Sequence, residues 1–121
     1  MIARIWRGHT RAADAEAYTR LIERTGLVDY QATPGNLGAA ILRRTTNGTA
    51  EFLVLSLWED MTAIRKFAGD DVEKAHYYPE DDAYLLGKEP HVAHYEIAAR
   101  VGGFAEGAEK LSAVRFAGDE A

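Results

Sequence analysis

Between Glu51 and Trp58 the chain reads Glu-Phe-Leu-Val-Leu-Ser-Leu-Trp, a strand with almost no polar position. Alternation puts Phe52, Val54 and Trp58 on one face and Leu53, Leu55 and Leu57 on the other. An antiparallel strand usually turns one face to water and is polar there. A strand apolar on both faces has to be covered twice, and that requirement limits the architectures open to the chain.

The flanking segments supply cover for one face. Ile2–His9 alternates as a strand, with Met1, Ala3 and Ile5 on one side and Ile2, Arg4 and Trp6 on the other. A helix follows over Ala13–Thr25, where Ala15, Tyr18, Leu21 and Ile22 recur at helical spacing and Gly26 marks a stop. Thr33-Pro34-Gly35-Asn36 is turn chemistry, and Leu37–Thr45 reads as a second strand. Asn47-Gly48 is the hairpin signal that joins it to the apolar strand, because a type I′ turn needs positive φ at both central positions. Asp60 is an N-cap for a helix over Met61–Ala68, and a short helix is expected over Val72–Tyr78. Pro79 and the acidic run Glu80-Asp81-Asp82 read as a solvated loop or a last turn, and His91–Ala98 as a fourth strand.

The order β-α-β-β-α-β is ferredoxin-like: an α+β fold with an antiparallel four-stranded sheet and helices on one face. The helices leave the second apolar face of the third strand bare. A second copy of the chain covers it most simply, two sheets closing face to face into a dimeric α+β barrel. Loops and the C-terminal stretch are the other source of cover. Residues 1–98 form this domain. Residues 99–121 form a C-terminal extension, an arm on a partner or a loose tail, with a weak helix expected over Phe104–Phe116.

A chain of 121 residues with 47% hydrophobic and 27% charged residues is one globular domain. The net charge of −5, with Arg43-Arg44 as the tightest basic pair, argues against nucleic acid and against an anionic membrane surface. The absence of cysteine excludes disulfides and thiolate chemistry. With no long apolar run, the protein is expected in the cytoplasm. There is no phosphate-binding glycine loop and no nucleophile elbow. His94 and Glu96 share a strand face, but with no third ligand in evidence no metal site is expected.

Trp58-Glu59 at the end of the third strand, Phe67 on the helix after it, and Glu73-Lys74-Ala75-His76 resemble the antibiotic biosynthesis monooxygenase family. The resemblance covers about residues 1 to 98. It implies a dimeric α+β barrel whose pocket lies between helices and sheet. It also implies a monooxygenase that needs no cofactor and acts on a small phenolic or quinol-like aromatic molecule, or a haem-binding protein of the same fold. A dimer that binds a small ligand without catalysis is the further alternative. His76 falls near the iron-binding histidine of the haem-degrading members. Those members also carry an asparagine on the first strand and a tryptophan on the second helix. Here the strand has Trp6, Arg7 and His9, and the helix position is Phe67, so two of three positions depart from the haem pattern.

Oxygenation without a cofactor needs one base and a few hydrogen-bond donors in an apolar cavity. His76 is the candidate base or substrate anchor, since histidine titrates near neutrality. Trp6, Phe67, Tyr77 and Tyr78 are the candidate substrate-binding residues; each is equally suited to packing. Arg4 and Arg43 either bind an anion or pair across the sheet with Glu51 or Glu96.

Overall fold

The structure is a computed structural model that describes residues 1–102. In chain order it runs β1 (Ile2–Arg11), a short 3₁₀ turn (Ala12–Asp14), α1 (Ala15–Arg24), α2 (Gly26–Ala32), β2 (Asn36–Thr46), β3 (Thr49–Trp58), α3 (Met61–Ala68), a second 3₁₀ turn (Pro79–Ala83) and β4 (Ala93–Glu96). The helix expected over Phe104–Phe116, and nearly all of the C-terminal extension, lie outside the described residues.

Asn47 and Gly48 take φ of 51° and 79° and close the β2–β3 hairpin as their residue types require. The register set there, Ile41 opposite Val54 and Arg43 opposite Phe52, continues to a bulge between Asn36 and Gly38. β3 then pairs antiparallel with β1, Val54 opposite Trp6, and β1 with β4, Arg4 opposite His94. The sheet order is β2-β3-β1-β4, the ferredoxin-like order.

One face of the sheet carries the core. Trp6, Phe52, Val54 and Trp58 are buried there against Tyr18, Leu21 and Ile22 of α1, Tyr30 of α2 and Ile64 of α3. Each large apolar side chain buried in this way stabilises the fold by about 1.5–3 kcal/mol. Asp60 caps α3 by accepting from the Ala63 amide at 2.9 Å. Gly69, at φ 82°, ends the helix.

The other face holds Ile5, Leu53 and Leu55, all half-buried, and the buried Leu57, with Leu42 and Tyr95 44% and 59% exposed. Among the described residues no second layer covers it.

Three expectations are corrected. Gly26 does stop α1, but a further helix, α2, starts on it, turning at Thr25, whose hydroxyl donates to the Leu21 carbonyl. No helix forms over Val72–Tyr78. This segment is a turn at Val72–Glu73 followed by a strap without helix: the Ala75 amide donates to the Pro90 carbonyl and the Val92 amide to the Glu73 carbonyl, both at 2.8 Å. Once its backbone groups bond to a distant segment, they are lost to a helix. That pairing also shortens the fourth strand to Ala93–Glu96. No helix among the described residues is long and apolar enough to cross a membrane.

Candidate functional site

The site is assembled where the strap crosses the helix face of the sheet. Arg4 points from β1 toward the helices and is buried, 2% exposed. Its guanidinium donates to the Val72 carbonyl at 2.5 Å, to the Lys74 carbonyl at 3.3 Å and to His94 Nε2 at 3.0 Å, and lies over the Phe67 ring at 5.6 Å. Among the described residues it meets no carboxylate, so it neither pairs with Glu96 nor stands free for an anion. Burial holds its pKa below the ordinary arginine value, with the Tyr30 hydroxyl acting the other way. Arg43 pairs with Glu16 at 2.8 Å, and Arg44 is the residue that meets Glu51.

The strap so clasped carries His76, Tyr77 and Tyr78. Beneath it lies a cavity of about 30 Å³ between α1, α2 and the sheet, room for a water or two. Trp6, Tyr18, Tyr30 and Val54 form its floor and walls, and His76, Tyr78 and Asp81 its strap side. Of the five residues singled out in the sequence, Trp6, His76 and Tyr78 therefore share one cavity. Phe67 stands behind it, its ring 5.5 Å from that of His76 and 4.8 Å from that of Tyr30. Tyr77 lies outside the lining: it packs edge-on against Trp6 at 6.1 Å and donates its hydroxyl to the Glu89 carbonyl at 2.6 Å.

His76 is exposed and sits at the mouth, its ring edge-on to Tyr78 at 5.0 Å. The Tyr78 hydroxyl reaches across to α2 and donates to Asp29. This bond ties the strap to the helix over the cavity.

Sequence reasoning missed Asp81, which belongs to no solvated run. It is 5% exposed; Oδ1 accepts from the Tyr18 hydroxyl at 3.0 Å and Oδ2 from the Tyr78 amide at 2.7 Å. The local signal was present: Pro79 opens the turn and an acid stands in its first turn, where it can reach back to the preceding amide. Tyr18 also went unassigned, because helix periodicity accounts for it as core, and Tyr30 because it lies on α2, which the sequence reading did not foresee.

The electrostatics sort the lining by role. Burial pushes Tyr18 up, with Asp81 adding to it. It pushes Tyr30 up to about 12, Arg4 opposing. Burial and then the bond to Asp29 push Tyr78 up. These tyrosines stay neutral hydroxyls and serve as donors, not bases. The proton-accepting side chains that line the cavity are His76 and Asp81. Among the described residues the buried Trp6 indole N–H has no hydrogen-bond partner.

The sequence matches no protein-family model and no curated protein. Solved structures do match. A Bacillus cereus protein assigned as an antibiotic biosynthesis monooxygenase is 12% identical over 84% of this chain and 97% of its own, with a TM-score of 0.58. The haem degrader MhuD of Mycobacterium tuberculosis, with two haems bound in its active site, is 19% identical over 84% of this chain and 100% of its own, with a TM-score of 0.55. A mutant of MhuD holding two manganese protoporphyrin IX per active site is 20% identical over 85% of this chain and 100% of its own, also at 0.55. The resemblance carried by Trp58-Glu59 and Glu73–His76 and the order of the sheet thus converge with these likenesses on one architecture: the chain has the ferredoxin-like α+β fold of the antibiotic biosynthesis monooxygenase proteins.

Proposed function

We propose that this protein is a homodimeric, cofactor-independent monooxygenase of the cytoplasm, acting on a small phenolic or quinol-like aromatic molecule. The observation that carries the reading is the cavity itself. Among the described residues, aromatic walls from Trp6, Tyr18 and Tyr30 meet two proton acceptors, His76 at the mouth and Asp81 inside. Aromatic walls suit a flat ring, and a base at the mouth suits removal of a ring hydroxyl proton.

In this reading His76 takes the hydroxyl proton as the bound ring passes an electron to dioxygen. One oxygen atom becomes bonded to the ring and the other leaves as water. A quinol supplies the electrons itself and ends as a hydroxyquinone, so no further reductant enters. The ring needs more room than the cavity now offers. Release of Tyr78 from Asp29 is the movement that would provide it.

Haem is the less supported reading: Phe67 stands where the haem pattern has a tryptophan, and β1 carries Trp6, Arg7 and His9 where that pattern has an asparagine. The small volume favours, as the second reading, a dimer that binds a small ligand without turning it over.

Oxygen uptake with hydroquinone, in the presence of a chelator, separates the two. The oxygenase reading predicts uptake with formation of hydroxybenzoquinone, and a loss of about a hundredfold in His76→Ala. A fully active His76→Ala would remove the base assignment, and an inert wild-type protein that still binds hydroquinone would leave the non-catalytic reading.

A further inference from the structure

We infer that Asp81 is the specificity-determining residue of the cavity: it selects ligands that carry a neutral hydroxyl and rejects ligands that carry a carboxylate. The inference rests on the reading that the cavity takes a small aromatic molecule, and goes beyond it by naming the group that orients the ring.

Asp81 is buried, and among the described residues no cation lies within ion-pair distance of it. Its two hydrogen bonds, from the Tyr18 hydroxyl and the Tyr78 amide, use one position on each oxygen. A carboxylate has about four acceptor positions, so two are left for a ligand. With no ion-pair partner on the carboxylate among the described residues, a donor that enters the cavity forms a charge-assisted hydrogen bond, worth more than a neutral one. An anion that enters meets repulsion in a poorly solvated place. The tyrosines around it cannot offset the charge, because each is a neutral hydroxyl. A ring with a hydroxyl at each end satisfies the whole arrangement, one hydroxyl donating to Asp81 inside and the other facing His76 at the mouth.

The test is equilibrium binding, without oxygen, of three rings of similar size: hydroquinone, 1,4-dimethoxybenzene and 4-hydroxybenzoate. Wild-type protein is expected to bind hydroquinone at least tenfold more tightly than the other two. Asp81→Asn keeps an oxygen for the Tyr78 amide and removes the charge. It is expected to weaken hydroquinone by about tenfold and to strengthen 4-hydroxybenzoate by a similar factor, opposite changes that a general loosening of the fold would not produce. Unchanged affinities in Asp81→Asn overturn the inference alone. Failure of wild-type protein to bind any of the three overturns it together with the reading beneath it. Should the variant not fold, the wild-type order decides: equal binding of hydroquinone and 4-hydroxybenzoate overturns the inference without any variant.

Discussion

Arg4 and His94 face each other across β1 and β4, with the guanidinium Nη1 3.0 Å from the imidazole Nε2. Arginine has no acceptor, so the imidazole accepts, and it is therefore neutral with its proton on Nδ1. Burial pulls the His94 pKa below its ordinary value, the Arg4 charge pulls it further, and Glu73 partly restores it. The unfolded chain thus binds this proton more tightly than the folded one. Stability from this source is complete above about pH 6.5 and falls as the pH drops through that value toward the lowered folded one. His94→Gln keeps an acceptor for Arg4 and removes the titration. Urea unfolding from pH 7 down to pH 5 is expected to show a shallower loss of stability in His94→Gln than in wild type; identical slopes would place the pH dependence elsewhere.

Gly8 lies under the Trp6 indole. A Cβ there would stand 2.3 Å from Trp6 Cη2 and 2.8 Å from Cζ2, with Leu85 Cδ2 at 3.1 Å. No side chain fits without displacing the ring that forms the cavity floor. Gly8→Ala is expected to cost about 1–3 kcal/mol in thermal unfolding, as overpacking does, and to weaken hydroquinone binding. A variant with wild-type stability and affinity would show that Trp6 does not need its present place.

The uncovered face of β3 predicts the assembly. Leu55 sits at its centre, opposite Ala40 on one side and Ile5 on the other. A contiguous apolar face of this kind is unusual in a monomer, and two copies related by a two-fold axis would cover it. Sedimentation is expected to give twice the mass of the chain, and Leu55→Lys half that value with its circular dichroism intact. A wild-type monomer at micromolar concentration would leave the face unexplained.

Much of the fold was legible because it is written locally. Alternation placed β1, a short apolar run bounded by turn signals placed β3, Asn47-Gly48 placed the hairpin, and Asp60 placed the start of α3. What escaped depends on partners distant in sequence. The Val72–Tyr78 strap has helix-compatible residues, but Arg4, 68 positions from Val72, binds the Val72 and Lys74 carbonyls, and the Pro90–Val92 segment binds the Ala75 amide and the Glu73 carbonyl. Asp81 looked solvated beside Glu80 and Asp82 until Tyr18, 63 positions away, reached it. The candidate site was legible in the same measure. His76, Trp6 and Tyr78 share the cavity, Phe67 supports it from behind, and Tyr77, their neighbour in sequence, turns away to the Glu89 carbonyl.

The account rests on a small aromatic molecule entering between the helices and the sheet, and the chain carries its own reporters. It has two tryptophans. Among the described residues the Trp6 N–H lacks a partner, and its ring lines the cavity, whereas Trp58 is fully buried and donates its N–H to Ser56 at 2.9 Å. In a ¹⁵N-labelled sample titrated with hydroquinone without oxygen, the Trp6 indole resonance is expected to shift saturably while that of Trp58 stays in place. A Trp6 resonance that does not move, or a Trp58 resonance that moves in its stead, would contradict the account.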